Sequence, residues 1–110
     1  MGVNWGPTGK ETYYNLDMSG IISAVQRGGW LYNDCINKDI IDEILDTSGY
    51  WVRDDGCKMF GPYIIVAANL SHFPRGSIVE CSLGTAIVLD TGGFASMADG
   101  WSWLDIATNW

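Results

Sequence analysis

The 110-residue sequence predicts one α+β domain that is mainly β. Three observations predict it. Fourteen glycines against three prolines indicate many tight turns, which suit a strand-rich chain better than a helical bundle. Helical periodicity is confined to the first half, while the second half reads as short apolar runs separated by turn residues. With 47% hydrophobic and only 17% charged residues, a chain of this length buries a core without metal or disulfide staples.

Residues 1–9 are glycine-rich, contain Pro7 and read as a flexible lead-in. Lys10 to Asn15 (KETYYN) suits a first strand, since Thr and Tyr favour a pleated surface. Ser19 to Arg27 reads as a short helix capped by Ser19 and ended by Gly28-Gly29. A second helix begins at Asn37, where Asp39, Asp42 and Glu43 suit the positive helix end. Its stripe is Ile40, Ile41, Ile44 and Leu45, and Ser48-Gly49 stops it. Asp54-Asp55-Gly56 is a turn signal. Tyr63 to Ala68 is a near-continuous apolar strand, expected to be covered on both faces. After the Pro74-Arg75-Gly76 turn, Ser77 to Ser82 and Thr85 to Asp90 form a hairpin around Leu83-Gly84. Trp103 to Ala107 completes the strands. No repeat or linker divides the chain.

Six Lys and Arg against 13 Asp and Glu leave a formal charge of −7. Nucleic acid is not an expected partner, because phosphate binding needs a basic surface, and neither is an anionic membrane. No apolar run has membrane-spanning length. No basic segment followed by an apolar stretch marks a secretion signal at the N-terminus. Cys35, Cys57 and Cys81 are an odd set without close pairing. They allow one disulfide plus a thiol, or three buried reduced thiols. With His72 the single histidine, zinc ligands are few, and no cofactor or metal is implied.

Two acids stand out. Asp90 emerges from an apolar strand onto Thr91-Gly92-Gly93, a costly place for a carboxylate unless it is hydrogen-bonded or its pKa moves. Asp105 lies between Leu104 and Ile106 and so faces away from both. A third feature is the run from Tyr63 through Asn69 to Pro74-Arg75-Gly76, a buried strand leading into a turn.

The order of these pieces, "VAANLSHFPRG", "LGTAIVLDTGG" and "WLDIA", resembles the three-aspartate (3D) domain family, related to the membrane-bound lytic murein transglycosylase A. The opening "ETYY" is similar to that family's first strand. The resemblance covers residues 10–15 and 60–107. It implies a six-stranded double-psi β-barrel, with residues 17–58 as a helical insertion. It also implies that Asp105 is the catalytic acid and that the chain faces peptidoglycan glycan strands, secreted, in the cell envelope or on a phage particle. One departure is Asn69, which stands where the family carries its first aspartate. Asn69 keeps hydrogen bonds but not charge.

The chemistry follows from the residues. A glycoside hydrolase needs two carboxylates and water. A lytic transglycosylase replaces water with the muramic acid's own C6 hydroxyl, so one carboxyl group protonates the leaving oxygen and then accepts the hydroxyl proton. Asp105 suits that role if burial or a neighbouring charge raises its pKa, and Asp90 supplies charge beside it. Thr91, Gly92 and Gly93 would orient Asp90. Asn69, Tyr14 and Trp103 would contact the sugar, with Tyr13 and Trp101 as further aromatic surface. Arg75 in its turn would fork onto a peptide or lactyl carboxylate.

Two other readings compete. Leu89-Asp90-Thr91-Gly92 matches the aspartic protease signature, but only twenty residues follow Asp90, too few for the rest of such a barrel. A non-catalytic wall-binding or assembly module fits the same fold, since fold does not fix function. Asn69 and the acidic surface favour it.

Overall fold

The computed structural model describes residues 3–93 and 100–110. Among the described residues the architecture is mixed α/β and mainly β: two α-helices and one sheet of eight strands. The strands are β1 (Asn4–Trp5), β2 (Lys10–Tyr14), β3 (Tyr50–Val52), β4 (Lys58–Phe60), β5 (Tyr63–Ala67), β6 (Ile78–Cys81), β7 (Gly84–Asp90) and β8 (Leu104–Ala107). The helices are α1 (Ser19–Val25) and α2 (Lys38–Thr47).

Strand β5 organises the sheet. It pairs in parallel with β7 along one edge and, along the other, antiparallel with β4 at its start and with β8 at its end. Its burial follows from its sequence. Ile65 joins Ile87 and Leu89 of β7 beneath the helices, in a core shared with Val25, Ile41, Ile44 and Phe60. Ile64 and Val66 join Ala86, Val88, Leu104 and Ile106 on the opposite face. An apolar run with no polar alternation is what a strand covered on both sides requires.

Strand β8 also pairs in parallel with β2, which continues antiparallel to β1. Six strands were expected. The additional pairing comes from Asn4–Trp5, in the segment read as a lead-in, and from Tyr50–Val52, within the segment read as an insertion. Asp54-Asp55-Gly56 is the turn between β3 and β4, and Gly56 takes a φ of +90 there.

Both helix starts differ from expectation in their caps. Ser19 is the first helical residue, and its N–H donates to Asp17 Oδ1 at 2.9 Å. Asn37 adopts a left-handed φ of 57° and makes no side-chain cap bond. Its Nδ2 donates instead to the Gly76 carbonyl at 3.0 Å, tying the start of α2 to the Pro-Arg-Gly turn. Cys35, Cys57 and Cys81 are free, buried thiols. Burial pushes the Cys57 thiol up to about 11, so it behaves as a small core residue, not a nucleophile.

Candidate active site

The two acids meet on one face. Ala67, the last residue of β5, pairs with Asp105 on one side and Asp90 on the other. Residues paired across a ladder point to the same face. Alternation along β8 sends Leu104 and Ile106 into the strand core and Asp105 to the helix-covered face. Asp90 arrives there by a different device. Ile64, Ile65 and Val66 pair with Ala86, Ile87 and Val88, and then the register shifts by one residue. Without that shift Ala67 would face Leu89 and Asp90 would point the other way. The methyl group of Ala67 is all that β5 places between the two carboxylates.

Neighbouring side chains hold both acids. Thr12 of β2 pairs with Asp105, and its Oγ1 donates to Asp105 Oδ1 at 2.8 Å. Tyr14 OH donates to Asp90 Oδ2 at 3.2 Å, and the Thr91 N–H donates to Asp90 Oδ1 at 2.9 Å. To reach Asp90, Tyr14 crosses β8 and β5. Tyr14 pairs with Ala107 of β8 and Asp90 pairs with Ala67 of β5, and both of these side chains are small enough to leave a path.

Electrostatics separate the roles. Burial, the largest cause, raises the Asp105 carboxyl above its ordinary value of 3.8; the Thr12 hydroxyl opposes this and the Asp90 charge adds to it. Burial and the adjoining Asp90 carboxylate raise the Tyr14 phenol far above 10, so Tyr14 stays protonated and donates.

The remaining expected residues divide. Of Thr91, Gly92 and Gly93, the Thr91 backbone amide reaches Asp90, and all three residues are exposed. Asn69 Oδ1 accepts the N–H groups of Ser71 (2.9 Å) and His72 (3.2 Å), so its carboxamide shapes the turn after β5. Trp103 lies under the Lys10 ammonium, 3.7 Å from the ring centroid. Tyr13 faces the opposite core and packs on Trp110 at 4.8 Å between centroids. The Trp101 side chain lies outside the described residues. His72 stacks edge-on against Phe73.

Arg75 requires a correction. It is buried, and its Nη1 donates to the Leu89 carbonyl, the peptide unit that leads into Asp90. The flanking Gly76 N–H donates to the Val88 carbonyl at 2.7 Å. The turn therefore grips β7 where its register shifts, and Arg75 is not presented to a ligand carboxylate.

Sequence reading missed Thr12 as the partner of Asp105. The signal was available: Thr12 and Tyr14 lie two apart in a predicted strand and so share a face. A concavity of about 220 Å³ lined by Ile40, Glu43, Ile44, Thr47, Pro62 and Tyr63 lies at the other end of β5 from the acids. Among the described residues no three His, Cys, Asp or Glu side chains group to hold a metal ion, and no helix is long and apolar enough to cross a membrane. Comparison with protein-family models, with characterised proteins and with solved structures gave no match.

Proposed function

We propose that this chain is a lytic transglycosylase domain that cleaves peptidoglycan glycan strands to 1,6-anhydromuramoyl products, at the cell envelope or on a phage particle. The observation that carries the reading is the placement of Asp105 and Asp90 on one face, either side of Ala67, with the Asp105 carboxyl raised by burial. In the reaction, protonated Asp105 gives its proton to the glycosidic oxygen as the C1–O bond breaks. The C6 hydroxyl of the same sugar closes on C1, and its proton passes to the Asp105 carboxylate, which restores the acid. Asp90, held by Tyr14 and the Thr91 amide, faces the positive charge that develops on the sugar ring.

The double-psi barrel expectation belongs to the same proposal. Two parallel pairs, β2 with β8 and β5 with β7, support it. So do side-chain bonds that link the β6–β7 hairpin to the β1–β2 edge. Thr8 Oγ1 donates to the Glu80 carbonyl at 2.7 Å, and buried Glu11 accepts the Ser82 N–H at 2.8 Å.

Digestion of purified peptidoglycan with mass spectrometry of the products tests the function. The expected result is anhydromuramoyl ends with wild type and their loss in Asp105→Asn. Absence of anhydro ends with wild type refutes it. The engagement of Asn69 in a turn, in place of a third acid, favours a second reading as a non-catalytic wall-binding module. Retention on insoluble wall without anhydro products would identify that case.

A further inference from the structure

The chain has six cationic side chains. Five are engaged within the fold. Arg27 pairs with Asp42 and Asp46, and Arg53 with Asp55. Lys38 donates to the Cys35 carbonyl, Lys58 to Asn15 and the Leu16 carbonyl, and Arg75 to the Leu89 carbonyl. Lys10 differs: its ammonium sits over the Trp103 ring, 3.7 Å from the centroid, where the other five cations meet oxygen acceptors.

Its position is specific. Lys10, Thr12 and Tyr14 alternate onto one face of β2, the face that carries Asp105 and Asp90. Lys10 thus stands one step along from Thr12, roughly 6–7 Å from the Asp105 row. Its cross-strand partner is Trp5, which shares that face and is 71% exposed.

We propose that Lys10, steadied by Trp103 and flanked by the Trp5 indole, is a subsite for a carboxylate carried on the sugar. This inference rests on the transglycosylase reading for its location and names the substrate class: glycan with a free lactyl carboxylate, as opposed to one whose carboxyl is in amide linkage to a stem peptide. The sugar ring lies on Trp5, as flat apolar surface favours, and the carboxylate meets the ammonium. Elsewhere on the face an anionic substituent meets the Asp90 carboxylate and is repelled. Charge therefore fixes the direction in which the glycan lies.

Isothermal titration of the full chain tests this with three oligosaccharides of equal length. One is a peptide-free N-acetylglucosamine–N-acetylmuramic acid oligomer, the second is the same oligomer with its lactyl carboxyls amidated, and the third is a chitooligosaccharide. The free-carboxylate oligomer is expected to bind about tenfold more tightly than the other two, as for one partly exposed charge-assisted hydrogen bond. Lys10→Gln abolishes that preference, Lys10→Arg restores most of it, and raised ionic strength weakens it. Equal binding of the first two oligomers by wild type, a preference that survives in Lys10→Gln, or no binding of any oligomer overturns the inference. Carboxylate-dependent binding without anhydro products would refute the transglycosylase reading and keep the subsite. Anhydro products without carboxylate preference would do the reverse.

Discussion

Thr12→Val gives the most direct test of the site. Valine keeps the β-branched shape that suits a strand and removes only the hydroxyl that donates to Asp105 at 2.8 Å. A hydrogen bond to a charged acceptor contributes about 1.5–3 kcal/mol net. Asp105 is half-buried, so water replaces part of the lost bond and the lower end applies: about 1–1.5 kcal/mol at pH 7. For a domain of this size that lowers Tm by about 5 °C. The cost depends on pH with a defined sign. The bond favours the charged carboxylate, so removing it raises the Asp105 pKa further and costs most above that pKa. The cost shrinks as pH falls through the folded pKa and Asp105 takes its proton. Asp105→Asn behaves oppositely. The net raised pKa means that Asp105 contributes stability fully present below its unfolded value of 3.8 and lost as pH rises through the folded value. Removing the charge should therefore leave the protein at least as stable as wild type at pH 7. Urea unfolding of the two single variants and the double variant, from about pH 4 to 8, closes the cycle. A Thr12→Val cost below about 0.3 kcal/mol at every pH would refute the pairing of Thr12 with the Asp105 carboxylate.

Two further outcomes are expected. In Asp90→Asn, loss of the neighbouring negative charge should move the Asp105 carboxyl titration downwards, followed by carboxyl carbon NMR; an unmoved midpoint would place the acids apart. Gly76→Ala should destabilise by more than about 3 kcal/mol in urea unfolding, because the turn holds a φ of +97 and an added Cβ meets the Ile36 backbone carbonyl. A near-neutral variant would show that the Pro-Arg-Gly turn does not clamp β7.

The elements that were legible in the sequence share one property: each had a pattern that a single segment carries by itself. The apolar run from Tyr63, the Ile40, Ile41, Ile44 and Leu45 stripe and the hairpin around Leu83-Gly84 state their burial without reference to any partner. Asp105 was legible for the same reason, since alternation between Leu104 and Ile106 fixes its face. Weak or two-residue strands were not. Asn4–Trp5 is exposed and has no periodicity to read, and it is ordered by its partner Lys10–Glu11. Arg75 looked like a surface cation because a turn residue is usually exposed. Its burial depends on the Leu89 carbonyl, fourteen residues away.

What the sequence determined alone was the supply of groups: one acid at the end of an apolar strand and one within another, a helix-then-strand division and a surface short of cations. Only the tertiary structure decided which of them share a face. Strand alternation has a period of two, so a one-residue register shift beside Ala67 reverses the direction of Asp90. Nothing within "IVLDTGG" records that shift, because it is set by the pairing of β7 with β5. The same holds for Lys10, whose neighbours Trp5 and Trp103 come from opposite ends of the chain.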